Sequence, residues 1–160
     1  MIEDLECFPS ESKLDSKADV LRVKKYSKLE FKSIGSIKKP PADLFNLTTD
    51  DKNEGRRRSK QPLLSAWKST IDKKILFNNT NITEEHLPAV YKLNVGDIHN
   101  ISVEERMIPI EVHEDPKENI PSGQLHAGIQ GLYNQSRSKQ KKRMYKFLKE
   151  ELVRISILKY

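Results

Sequence analysis

The stretch SRSKQKKRMYKFLKEELVRISIL, residues 136–158, sets a dense basic block directly against an apolar helical stripe. At 100° per residue, Met144, Phe147, Leu148, Leu152, Ile155 and Leu158 gather on one arc about 140° wide. Lys142, Arg143, Lys146, Lys149 and Arg154 lie on the other side, and Glu150 precedes Arg154 in the favourable i,i+4 order. This spacing predicts an amphipathic helix over about 136–158. Its apolar arc is fit for docking into a protein groove. Arg137, Lys139, Lys141, Lys142, Arg143 and Lys146 are fit for phosphate or an acidic surface.

Outward from that helix, composition argues against a self-sufficient core. Apolar residues make up 36% and charged residues 32% of 160 residues, against roughly 45–50% and 25% in ordinary domains. Ordering a chain costs about 1–2 kcal/mol per residue, and so little apolar surface predicts a mostly disordered or extended chain. The expected ordered pieces are two helices, at about 62–77 and 136–158, with short strand-like segments.

Charge is segregated along the chain. Residues 1–15 sum to −4, 16–40 to +6, 81–135 to −6 and 136–160 to +7. Such blocks suit nucleic acid, acidic partners, or pairing of the middle with the tail. The pattern divides the chain into an acidic disordered N-terminus (1–19) and a basic segment with possible short strands (20–40). A linker with an Arg-rich cluster (41–60) leads to an amphipathic helix (61–78). An acidic, proline-punctuated linker (79–135) then precedes the basic helix (136–160).

Within the basic segment, Val20–Val23 and Leu29–Phe31 read as two short strands. In the predicted helix, Leu63, Leu64, Trp67, Ile71, Ile75 and Phe77 fall on one side. Pro62 is acceptable in its first turn, and the lone Trp67 suits an interface anchor. Gln61 through Lys68 partly resembles a sliding-clamp peptide, but lacks its paired aromatics. In the acidic linker Tyr91, Leu93 and Val95 alternate as a strand would.

Catalytic motifs are missing at the level of linear spacing. There is no phosphate-cradling glycine loop, no Gly-x-Ser-x-Gly elbow and no His-Glu-x-x-His. Cys7 is the single cysteine, and His86, His99, His113 and His126 have no close metal-ligand spacing. The expectation is a protein that is not an enzyme and needs neither cofactor nor metal, with no small-molecule substrate. No apolar run approaches a membrane span of about 20 residues, so no membrane partner is expected.

Short patterns carry the rest. Arg57, Arg58 and Lys60, like Lys139–Arg143, fit import signals read by nuclear carriers; together with Arg56 they also suit contact with nucleic acid or an acidic partner, and Ser59 behind three arginines fits a basophilic kinase site. Pro109, Ile110 and Val112, followed by acids, resemble a SUMO-interacting segment that adds to a sheet edge. Lys117, Glu118 and Asn119 resemble a KEN-box degron of the anaphase-promoting complex. The expected function is a non-enzymatic adaptor or accessory subunit in the nucleus or nucleolus. It would join a multiprotein assembly acting on RNA or chromatin, with protein partners and nucleic acid. The alternatives are a cell-cycle regulator using the KEN-like segment, and a basic structural protein of a ribosome-like particle.

Overall fold

The computed structural model describes residues 5–104 and 107–160, 154 of the 160. In chain order the elements are β1 (Asp19–Ser27), α1 (Lys28–Lys32), α2 (Thr49–Arg58), β2 (Leu64–Lys68), α3 (Lys73–Asn79) and β3 (His86–Asn94). There follow α4 (Val95–His99), β4 (Glu111–Glu114), β5 (His126–Gln130), α5 (Lys139–Ile155) and β6 (Ile157–Leu158). The strands form one antiparallel sheet in the order β4-β5-β2-β1-β3-β6.

This overturns the expectation of a disordered chain. The chain is an ordered globular α/β fold, and the composition argument failed for a geometric reason. Its apolar residues are few but almost all are used, because the sheet is covered on both faces. One face carries Val20, Leu64, Ala66, Tyr91, Leu93, Val112 and Ile129 against Tyr145, Leu148 and Leu152 of α5. The other carries Leu21, Trp67 and Val90 against Ile71 and Leu76. The high charge lies at the surface: among the described residues Asp115 is the one Asp, Glu, Lys or Arg that is buried as a whole residue.

The expected helix over 62–77 is also corrected. Residues 64–68 form β2, a strand paired on both sides, and only Lys73–Asn79 is helical, started by the Asp72 side chain accepting from Lys74 N and Ile75 N. A strand buried on both faces is apolar on successive residues, and over five residues such a run cannot be told from a helix face. The segment 79–135, expected to be a linker, supplies β3, β4 and β5. Leu29–Phe31, expected to be a strand, lies in α1, where Ser27 and Glu30 close a capping box. Thr48 and Asp51 close a second one at the start of α2, in what reads as linker.

The N-terminal segment is likewise packed, although its acidic start, Met1–Asp4, lies outside the described residues. Leu14 N donates to Val112 O at 2.9 Å, so the chain covers the outer edge of β4. Gln61 N donates to Glu6 O at 2.7 Å, tying the same segment to the approach to β2.

One seam organises the sheet. β1 pairs with β3 from Asp19↔Asn94 to Ser27↔His86, but with β2 only at Val20↔Lys68 and Leu21↔Trp67. Beyond Leu21 the two strands part, and the Arg22 side chain occupies the opening. Its Nη1 donates to Ser65 O at 2.7 Å and its Nη2 to Leu44 O at 2.5 Å, while the buried Nε has no partner. Burial pushes the guanidinium pKa down to about 10, against the opposing charge of Asp51. Replacing Arg22 with Ala leaves two carbonyls without donors and opens a void. We expect Arg22→Ala to lower unfolding free energy by about 2–4 kcal/mol, measured by urea denaturation with an unchanged m value. An unchanged midpoint would mean that the seam stands without it.

Candidate functional site

α5 presents three faces, and their assignment differs from the sequence reading. Tyr145, Leu148 and Leu152 face the sheet, while Phe147, placed in the docking arc by periodicity, is 56% exposed. Lys142, Lys146 and Lys149 recur at i, i+4 and i+7, which puts them on one side of the helix. They overlook a groove of about 580 Å³.

The opposite wall of that groove comes from distant chain. Asp43 and Asn46 belong to the short turn Ala42–Phe45 and its cap, Lys52 to α2, and Tyr133 and Asn134 to the connection before α5. Lys52 Nζ stands 5.9 Å from the Tyr133 ring centroid. Lys149 Nζ donates to Asn46 Oδ1. A second cavity of about 270 Å³ shares Tyr133, Asn134 and Tyr145 and extends the groove past Lys141 and Ser136.

The electrostatics of the groove are one-sided. Among the described residues, Lys52, Lys142, Lys146 and Lys149 take part in no ion pair, and Asp43 is the single acid on the wall. Burial, and then the charge of Lys52, push the Lys149 ammonium below its usual pKa. Burial alone pushes the Tyr145 phenol up. Four cations converge on a channel with two tyrosines and two asparagines, so the electrostatic potential there favours an anion over a cation.

The remaining sequence-derived residues scatter. Arg137, Lys139 and Arg143 are exposed but do not line the groove; Arg143 flanks a separate apolar hollow with Met144 and Phe147. Leu63, Leu64, Trp67 and Ile71 are buried and Ile75 is partly buried, all within the protein's own core. Ile155 and Leu158 pack on the same core as Leu152. Ile110 and Val112 are core residues too, and Val112 is already paired with Ile129, so the Pro109–Val112 segment is not a free strand. Lys117, Glu118 and Asn119 sit exposed in the loop between β4 and β5, where Lys117 N donates to Gly123 O at 2.9 Å.

The Arg-rich cluster is largely neutralised from within. Arg57 pairs with Glu54, and Lys60 with Glu6. Arg58 bridges Glu54 and Asp115 through Nε at 2.9 Å and Nη1 at 2.6 Å. Ser59 is exposed in the left-handed cap of α2, at φ 57°. Among the described residues, no group of three or more His, Cys, Asp or Glu side chains could hold a metal ion, and no helix is long and apolar enough to cross a membrane. Sequence reasoning found Lys142 and Lys146 but missed Lys149, Lys52, Tyr133 and Asn46. Lys149 was legible from the i, i+4, i+7 spacing; the other three required the fold. No known family model, curated protein or solved structure matches this chain.

The Arg58–Asp115 pair carries a pH signature. Burial alone would raise the Asp115 pKa, but hydrogen bonds from His126 and Arg58 outweigh it and hold the carboxyl well below the usual range. A depressed folded-state pKa stabilises the fold above the unfolded value, about 3.9, and the contribution is lost as pH falls further. Asp115→Asn should therefore lower stability at neutral pH and flatten the loss of stability below about pH 4. Thermal denaturation between pH 2 and 7 reads this; parallel curves for both proteins would contradict it.

Proposed function

We propose that this protein is a nucleic-acid-contacting accessory subunit whose α5 groove takes a phosphate backbone. The observation that carries the reading is the convergence of Lys52, Lys142, Lys146 and Lys149, without carboxylate partners among the described residues, on one groove. Each phosphate met by a lysine releases condensed counterions, so such a surface binds with affinity that falls steeply with salt. Tyr133 and Tyr145 add ring surface beside the cations, which favours a single strand whose bases are free to stack.

The adaptor part of the proposal rests on a neighbouring surface. Phe147 and Ile157, 56% and 59% exposed, adjoin Ile101, Ile155 and Arg154 around a hollow of about 470 Å³. Exposed aromatic and aliphatic side chains flanked by charge suit a protein contact. In this reading the exposed Lys139–Arg143 cluster serves nuclear entry, and the assembly acts on RNA or chromatin.

The test is fluorescence anisotropy with a labelled single-stranded oligonucleotide, titrated across salt. The triple variant Lys142→Glu, Lys146→Glu, Lys149→Glu should keep its circular dichroism and lose most affinity. Its plot of log affinity against log salt should flatten by about one unit of slope per lysine that contacted phosphate. Absent or salt-independent binding by the wild type would remove the proposal, and selective capture of an acidic protein instead would redirect it.

A further inference from the structure

The strongest arrangement outside the basic groove lies on the sheet face opposite α5. Ser65 pairs with Gly128 and Trp67 with His126, so Ser65 and His126 are diagonal neighbours across β2 and β5. His126 Nε2 is 2.6 Å from Ser65 Oγ. Its Nδ1 is 2.8 Å from Asp115 O and 3.3 Å from Asp115 Oδ2. Both neighbours of Nδ1 are acceptors, so in neutral His126 that nitrogen carries the proton. Nε2 then holds the lone pair, and the Ser65 hydroxyl donates to it.

The supports of this relay are equally specific. Arg58 holds the carboxylate with Nη1 to Oδ1 at 2.6 Å and Nη2 to Oδ2 at 3.3 Å. Trp67 meets the imidazole edge-on, with centroids 4.8 Å apart at 78°. Ser65, His126, Asp115 and Arg58 all line one cavity of about 140 Å³. A second relay, Ser12 Oγ to His113 Nδ1 at 2.7 Å and His113 Nε2 to Glu111 at 3.3 Å, differs because Phe8 packs over His113.

We propose that Ser65 is a nucleophile activated by His126 and Asp115, in a site that hydrolyses small neutral or cationic esters. Serine–histidine–carboxylate catalysis is recognised by geometry and roles, not by sequence order. His126 is the general base, Asp115 stabilises the imidazolium and fixes its tautomer, and Arg58 is a positioning residue. Asp50, Asp51 and Glu54 on the cavity wall disfavour anionic substrates, which separates this site from the basic groove. Lys117, on the same wall, is the cation available to a developing oxyanion.

The chemistry balances without a redox partner. Ser65 Oγ adds to the ester carbonyl carbon while its proton passes to His126 Nε2. The carbon–oxygen bond to the alcohol breaks, and the departing oxygen takes that proton, leaving acyl-Ser65. Water then adds to the acyl carbon, giving its proton to Nε2. The Ser65–acyl bond breaks, and the proton returns to Oγ as the carboxylic acid leaves.

These hydrogen bonds also brace the β2–β5 pair, so the test must read reactivity and not stability. The full-length protein is treated with a neutral alkyl fluorophosphonate, and the adduct is located by peptide mass spectrometry. The expected result is phosphonylation of Ser65, at a rate that rises with pH to a plateau, as general-base activation requires. Ser65→Ala, shown to be folded by circular dichroism, should abolish the adduct, and His126→Gln should slow it by about 10²–10⁴-fold. A folded wild type without an adduct at Ser65, or one formed equally fast in His126→Gln, overturns the proposal. If His126→Gln fails to fold, the wild-type profile decides: a rate independent of pH overturns it.

Discussion

Between β1 and β2 the backbone hydrogen-bonding register lasts for two residue pairs, and the Arg22 guanidinium continues the connection as a side chain. The consequences reach both candidate sites. Its bond to Ser65 O holds the strand on which the Ser65 hydroxyl is aimed at His126. Its bond to Leu44 O holds the Ala42–Phe45 turn, which forms part of the wall of the basic groove. A charged group bearing an unpartnered buried nitrogen is a costly connector. What it gains is a rigid fork that satisfies one carbonyl of β2 and one of the Ala42–Phe45 turn.

The two sites differ in how they are assembled. The basic groove borrows most of its charge from a single helix, whose lysines are brought to one side by 3.6-residue periodicity alone. The Ser65 site draws Arg58, Ser65, Asp115 and His126 from α2, β2, the connection after β4, and β5. No local spacing links them. They meet because β5 lies between β2 and β4, and because α2 ends against the β4–β5 loop. Their polarity also differs: four lysines and one acid line the groove, while Asp50, Asp51 and Glu54 stand beside the relay in the other. The charge that favours an anion in the first disfavours one in the second.

Legibility followed the length of each pattern. α5 was readable because seventeen residues of it repeat the same face, with Ser138 as cap; the expected helix ran on to 158, whereas Ile157–Leu158 pair with β3 as β6, and Tyr145 rather than Phe147 meets the sheet. β3 was readable from the alternation of Tyr91 and Leu93, which lie on the face toward α5. The capping boxes Ser27/Glu30 and Thr48/Asp51 were present in the sequence and would have placed α1 and α2. β2 was not readable, because Leu64, Ala66 and Trp67 are buried on two opposite faces and imitate one helical face. The disorder reading failed because composition counts apolar residues without knowing how many of them a sheet covered on both sides can use.

By itself the sequence determined the amphipathic tail, its lysine stripe, and the absence of any linear catalytic motif. These are local properties, set by periodicity and spacing along one segment. The tertiary structure decided that the apolar arc of that tail meets the protein's own sheet. It also placed Lys52, Tyr133 and Asn46 across from the stripe, and brought Ser65, His126 and Asp115 within hydrogen-bonding distance. Strand order determines which distant residues become neighbours, and strand order depends on which faces must be buried together. The antiparallel pairing of β2 with β5 turns a serine and a histidine sixty-one residues apart into a hydrogen-bonded pair.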